Sequence, residues 1–178
     1  MNVLFVAAEA APFAKTGGLA DVVGSLPKVL RQQGIDARVL IPQYGFISSD
    51  KYGIEPLFTF PLPRRTGTAD VHIAHTEYQG VPVYFLRAWP YFGDGDHLYT
   101  TVEWDIPRYI FFSQAALGFA WEMGLRLDWF PDLVHCHDWH TALVPFLIYD
   151  GRYHDRWAQT ASMITIHNLG YQGWDAGG

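Results

Sequence analysis

Compact apolar runs separated by stretches of helical periodicity make up most of this chain. Residues 2–8 (NVLFVAA) form an unbroken apolar run of strand length, and residues 19–33 carry apolar positions at helical spacing. Gly34 sits where that helix must end, and residues 36–41 (DARVLI) give a second buried strand. Pro27 lies inside the predicted helix and is expected to kink or break it, because proline lacks the N–H that the helical ladder needs. Residues 42–50 read as a loop.

The pattern changes from residue 55 to residue 87. Residues 71–78 (VHIAHTEY) and 81–86 (VPVYFL) flank Gln79-Gly80, which predicts a β-hairpin. Residues 89–104 form an aromatic loop, long enough to suggest a function. Residues 105–126 predict a helix with Asp105 as N-cap, Pro107 in the first turn and an apolar face of Ile110, Phe111, Ala115, Leu117 and Trp121. Alternation then resumes with a strand at 132–136, a helix at 139–149 and a strand at 162–167. Apolar strands alternating with helices at both ends predict an α/β fold. It would be Rossmann-like and doubly wound, with a mainly parallel sheet, helices on both faces and an inserted β-hairpin.

Composition narrows the possible functions. The 178 residues suit one domain over 1–178, and a hydrophobic share of 49% excludes a disordered chain. A net charge of −6 without a basic run argues against nucleic acid and anionic membrane as partners. No stretch resembles a membrane-spanning helix or a signal peptide. Cys136 is the single cysteine, which forbids an internal disulfide and fits a reducing, cytoplasmic compartment. The closing W-D-A-G-G is a poor domain end, so a polypeptide continuing past Gly178 is expected.

In open α/β sheets, ligands bind at the carboxyl ends of the strands, and the polar residues of this chain collect there. The first strand leads to Lys15, Thr16, Gly17, Gly18 and Asp21. One reading is an anion site, with Lys15 as a point charge on a phosphate and free N–H groups at a helix start. The other is a tight turn with a solvated lysine. The spacing is neither G-x-G-x-x-G nor a Walker A loop.

H-C-H-D-W-H at 135–140 places His135 and His137 on one strand face, Asp138 near a helix N-cap and His140 in the first turn. This cluster reads as a metal site, as hydroxyl recognition, or as a cap with core histidines. Its spacing matches no common zinc pattern, so no metal is expected, and His135 and Cys136 are expected in the core. His167 and Asn168 follow the last strand, where they would orient a sugar hydroxyl or open a turn. Trp89, Tyr91 and Phe92 would stack on sugar faces or simply pack their loop.

Four segments in order are more specific than any one: K-T-G-G-L-A-D-V-V-G-S-L-P, V-P-V-Y-F-L before a P-Y-F loop, H-C-H-D-W-H-T-A-L-V-P, and T-I-H-N-L-G-Y-Q-G. With them the chain closely resembles the N-terminal domain of bacterial glycogen synthases and plant starch synthases. The resemblance runs across nearly all of the chain.

It implies one half of a GT-B fold, in which two Rossmann-like domains face each other across a cleft. It also implies transfer of glucose from ADP-glucose to the non-reducing end of an α-1,4-glucan (glycogen or starch), with retention and with neither metal nor cofactor. This chain would be the acceptor-side domain, and its main partner the C-terminal donor-binding domain of the same enzyme. The implied location is the cytoplasm of a bacterium, or the plastid of a plant.

Residue by residue, the resemblance assigns Lys15 to the ADP-glucose site and brings the backbone of Gly17 and Gly18 close to the diphosphate. Asp21, Asp138 and His140 match polar positions of the cleft. His167 matches the histidine beside the transferred glucose, accompanied by Asn168, and Tyr91 matches an aromatic loop residue near the sugar. His167 and Asp138 are thus the implied catalytic residues. D-I-P-R-Y at 105–109 departs from the family's usual pattern, so no catalytic role is placed there. The family's catalytic glutamate and its Arg/Lys pair on the donor phosphates belong to the other domain, so the chain alone is expected to be inactive. Two other readings remain open: a non-catalytic glucan-binding module, and a GT-B transferase with another sugar nucleotide, such as a sucrose-synthase-like enzyme.

Overall fold

A computed structural model describes residues 1–65, 67–95, 97–151 and 156–170. Asp96 of the aromatic loop and the closing Y-Q-G of the last motif lie outside the described residues. One seven-stranded sheet runs in the order β3-β4-β5-β2-β1-β6-β7. Its strands are β1 (Asn2–Val6), β2 (Asp36–Pro42), β3 (Glu55–Arg64), β4 (Gly67–Tyr78), β5 (Val81–Arg87), β6 (Leu133–His137) and β7 (Ala161–Thr165). The helices are α1 (Gly18–Gln32), α2 (Ser49–Tyr52), α3 (Val102–Arg126) and α4 (Leu143–Gly151).

From β5 to β7 every pairing is parallel, whereas β3, β4 and β5 form an antiparallel arm. β1 is central and buried on both faces, as its unbroken apolar run requires. Right-handed crossovers put α1 on one face and α3 with α4 on the other. In keeping with this, α1 packs on β2 and β5, and α3 packs on α4.

Local chemistry accounts for the element ends. Gly34 has φ +82°, and the N–H groups of Gly34 and Ile35 donate to the carbonyls of Arg31 and Leu30, a Schellman ending for α1. Gln79 and Gly80 both have positive φ, and Tyr78 pairs with Val81, so the hairpin turns on two residues as expected.

Five expectations need correction. Pro27 does not break α1, which runs through it. β3 was not foreseen, because Pro56, Pro61 and Pro63 argue against a strand; it lies at the sheet edge, where a missing N–H is tolerated. The loop predicted at 42–50 runs into the single-turn helix α2, which Ser48 caps by accepting from the Lys51 N–H.

α3 starts three residues earlier than predicted, with Thr101 at the N-cap, so Asp105 and Pro107 lie inside it. Its packed face is Phe111, Phe112, Ala115, Ala116, Phe119, Ala120 and Met123, while Ile110 and Trp121 are exposed. The helix is apolar around most of its circumference, so hydropathy alone does not mark the packed stripe. Finally, the helix predicted at 139–149 divides into a 3-10 turn, Trp139–Thr141, and α4. Pro145 has no N–H to give Thr141, so it can stand only in the first turn of a helix that starts later.

Register decides what the fold positions. Val6 pairs with Cys136, and His137 pairs with Thr165, so the carboxyl ends of β1, β6 and β7 finish side by side. α1 is drawn close to the segment after β1: a Cβ on Gly24 would lie 2.7 Å from the Ala11 carbonyl oxygen. Gly24→Ala should therefore destabilise the protein by about 1–3 kcal/mol, the usual cost of overpacking, despite the roughly 1 kcal/mol that alanine adds to an open helix. Urea unfolding measures this, and an unchanged or raised midpoint would contradict the close approach.

A candidate active site at the carboxyl edge of the sheet

The first wall of the site is the segment between β1 and α1. Glu9 is only 3% exposed, at the end of an apolar run. Its side chain accepts from the Thr16 N–H (2.6 Å), the Thr16 hydroxyl (2.7 Å), the Gly17 N–H (3.3 Å) and the Tyr99 hydroxyl (2.5 Å). Four donors compensate the burial of an acidic group that would otherwise be costly. They also hold Lys15, Thr16 and Gly17 in front of α1.

Gly17 has φ −150° and Gly18 is helical, so neither needs glycine for its backbone. A Cβ on either would meet nothing within 4 Å. The absent side chains therefore leave open space in front of the helix N-terminus, where the N-cap glycine has no side chain to bond the first N–H groups. Lys15 Nζ pairs with Asp21 at 2.6 Å, and both side chains are half exposed. An exposed pair of this kind is worth at most about 1 kcal/mol, so the lysine is available to a competing anion.

The second wall is built on β6 and β7. His135 and His137 share a strand face as predicted, and their rings lie 4.3 Å apart. His135 Nε2 bonds the Thr165 hydroxyl at 2.7 Å, and His137 Nδ1 bonds His167 Nε2 at 2.9 Å. Asp138 Oδ1 accepts from the backbone N–H of His167 (2.6 Å) and of Asn168 (3.4 Å). The carboxylate thus fixes the turn after β7. Asn168 opens that turn, because its side-chain oxygen accepts the Gly170 N–H at 2.9 Å.

Asp138 has φ +57° and ψ −175°, a backbone region that essentially only glycine occupies. Holding it there costs on the order of 1–3 kcal/mol, and such strain persists only where the surroundings over-determine it. Here the Asp138 N–H donates to Thr165 O at 2.9 Å, and the Thr141 hydroxyl accepts the His137 N–H at 2.8 Å.

Tyr99 joins the two walls. Its hydroxyl reaches Glu9, and its ring stacks on His140 at 5.0 Å. His140 is enclosed by Tyr99, Tyr109 and Trp139. The aromatic loop that carries Tyr99 is anchored from below by the atypical D-I-P-R-Y segment. Leu98 O accepts from Arg108 (2.9 Å) and from the Tyr109 hydroxyl (3.0 Å), and Asp105 accepts from the Thr100 N–H (2.9 Å) and hydroxyl (2.7 Å).

Tyr91 is not brought to this site. Its ring stacks on Trp104 and Phe111, and its hydroxyl bonds Arg64.

Glu9 and Tyr99 are the residues that sequence reasoning missed, while His137, read within the H-C-H-D-W-H cluster, was given no role of its own. Glu9 had a readable signal, a lone acid in an apolar run. His137 had one as well, its period-two relation to His135. Tyr99 had none beyond membership of an aromatic loop.

Electrostatically, three of the imidazoles are kept neutral: those of His135, His137 and His140. Burial holds His137 and His140 down at about 3, with His135 and His167 adding to the effect for His137 and Arg108 for His140. His135 is lowered for the same reason, burial first and His167 second. At neutral pH these three rings carry no charge. Cys136 is buried, and its thiol is pushed up to about 12, so it takes no part as a nucleophile. Among the described residues no group of three or more His, Cys, Asp or Glu side chains could hold a metal ion.

The unfolded chain binds protons to these histidines below their ordinary value of 6.5, while the folded chain does not until about 3. Their contribution is complete above that ordinary value and is lost as pH falls through the interval. At pH 5 the loss should be about 2 kcal/mol for each of His137 and His140. The slope of urea stability against pH measures it, and a flat profile between pH 7 and about 5 would contradict burial of neutral rings. Asp138→Gly should be less destabilising than Asp138→Ala, because both lose the carboxylate and only glycine relieves the strained backbone; the same unfolding assay checks the order.

The chain matches the family model described as the starch synthase catalytic domain over residues 2–176. It is 38% identical to a glycogen synthase of Geotalea daltonii and 41% identical to glycogen synthase 2 of Geobacter metallireducens, in each case over 97% of this chain and 36% of the relative. The catalytic domain of starch synthase IV from Arabidopsis thaliana, bound to ADP and acarbose, superposes with a TM-score of 0.84 at 32% identity, over 97% of this chain and 35% of that one. The chain thus spans about a third of the length of these relatives. The edge that gathers the K-T-G-G, H-C-H-D-W-H and H-N segments therefore belongs to a member of the starch synthase catalytic-domain family.

Proposed function

We propose that this chain is the acceptor-side domain of a glycogen or starch synthase. The complete enzyme would transfer glucose from ADP-glucose to the non-reducing end of an α-1,4-glucan, with retention and in the bacterial cytoplasm or a plastid. The observation that carries the reading is the gathering of three separate segments at one sheet edge, with open space in front of Gly17 and Gly18.

In this reading the α1 N-terminus and Lys15 attract the diphosphate of the donor. Gly18 offers its N–H, since that of Gly17 is turned to Glu9. The diphosphate competes with Asp21 for Lys15. His167 stands beside the transferred glucose. Asp138 keeps it there with Oδ1 and offers Oδ2 to a sugar hydroxyl. His140 lends a neutral ring to the same wall. Tyr91, packed on α3, supports the loop and does not touch sugar. The second domain supplies the remaining donor contacts and closes the cleft.

Charge stabilisation of the leaving diphosphate is a large share of such catalysis, so the 178-residue chain by itself should elongate no glucan. Measurable transfer from ADP-glucose by the purified chain would overturn that division of labour. In the full-length protein, Lys15→Ala should raise the Michaelis constant for ADP-glucose roughly tenfold, about the value of one charged hydrogen bond, and leave folding intact. Unchanged donor kinetics would remove Lys15 from the site. For His167→Ala the turnover should fall more than the affinity; a loss confined to binding would contradict its place beside the reacting sugar. Competition between ADP-glucose and UDP-glucose settles the donor, and glucan binding without any transfer by the full-length protein would favour a non-catalytic module.

A further inference from the structure

His137 lies on β6 with no exposed surface, and the proposed role of His167 makes no use of it. The two rings are bonded edge to edge. Their Nδ1–Nε2 distance is 2.9 Å, and their centroids are 5.2 Å apart at an interplanar angle of 14°. Such a bond needs one nitrogen to carry the proton and the other to be bare, so it couples the tautomers of the two rings.

The other nitrogen of His137 decides which way the coupling runs. Nε2 is buried and has no hydrogen-bond partner among the described residues. If His137 accepted at Nδ1, its proton would sit on Nε2 as an orphaned buried N–H. If His137 donates from Nδ1, the orphan is a bare lone pair, and the rarer, costlier unpaired donor is avoided. His137 is held neutral by its burial, packed against the rings of Phe5 and His135, so it cannot carry protons on both nitrogens.

We infer that His137 is a positioning residue that donates from Nδ1 to His167 Nε2 and thereby fixes His167 as the Nδ1–H tautomer. His167 then presents an N–H on its outer edge, where no described residue bonds it. The ligand atom it meets must be an acceptor, such as a hydroxyl lone pair or a phosphate oxygen. The consequence for turnover rests on the proposal that His167 stands beside the transferred sugar, whereas the tautomer does not depend on it.

The test uses full-length protein labelled with 15N-histidine. Long-range proton–nitrogen correlation spectra should show His167 protonated at Nδ1 and bare at Nε2. His137→Leu should release His167 to the Nε2–H form that imidazoles favour in water. It should lower turnover by roughly 10–100-fold with little change in the Michaelis constant for the donor, as the loss of an orienting partner does. His137→Asn puts an amide N–H where Nδ1 stood, and should restore both the tautomer and most of the turnover.

A wild-type His167 protonated at Nε2, or an unaltered His167 spectrum in His137→Leu, would overturn the inference. Should the leucine variant fail to fold, the wild-type spectrum and the asparagine variant still decide. If His167→Ala keeps full turnover, the catalytic role of His167 fails, and the tautomer stands or falls on the spectra alone.

Discussion

Glu9 is an acidic side chain buried at the end of the central strand, and most of the site's geometry follows from satisfying it. An acid in that position needs donors, and the chain supplies them from two directions: backbone and hydroxyl of the K-T-G-G segment, and the phenol of Tyr99 from the aromatic loop. Meeting that need ties residues some 90 positions apart into one wall. Because Tyr99 then rests on His140, the same demand extends to the H-C-H-D-W-H turn. Burying an acidic side chain is usually a liability. Here it acts as a clamp that leaves the outward face of the loop free.

The second wall obeys the same logic with a strained backbone. Asp138 adopts a conformation that suits glycine, and in return its carboxylate reaches the N–H groups of His167 and Asn168 across the sheet edge. The loop between β5 and α3 is equally over-determined. Asp105, Arg108 and Tyr109 bond Leu98 and Thr100, and the buried Arg108 also pairs with Asp105 at 3.4 Å, which offsets the burial of its charge. The D-I-P-R-Y segment is thus an anchoring device beneath the site.

What could be read from the sequence follows from how local each cause is. Buried parallel strands announce themselves as apolar runs, and the Gly34 and Gln79-Gly80 turns depend on their own backbone angles. The gathering of Lys15, Asp138 and His167 at one edge follows from strand–helix alternation together with their positions after strands. β3 was illegible because its prolines are tolerated only at an edge, and edge position is a tertiary fact. The packed stripe of α3 was hard to read because apolar residues stand on its exposed side too, Ile110 and Trp121 among them. Tyr91 illustrates a further limit: an aromatic residue in a functional loop has the same composition whether it faces sugar or packs on Phe111. His137 lay in plain view, yet its pairing with His167 needs the register of β6 against β7.

The central place of β1 also sets an order of assembly. One side of this strand pairs with β2, barely 35 residues away, but the other pairs with β6, and the Asn2 N–H donates to Asp132 across 130 positions of chain. During synthesis from the N-terminus the first strand therefore waits with one backbone edge unpaired until β6 has emerged. Non-local closure of this kind slows folding and exposes strand edges while it lasts. The strand that begins the chain is among the last to be enclosed.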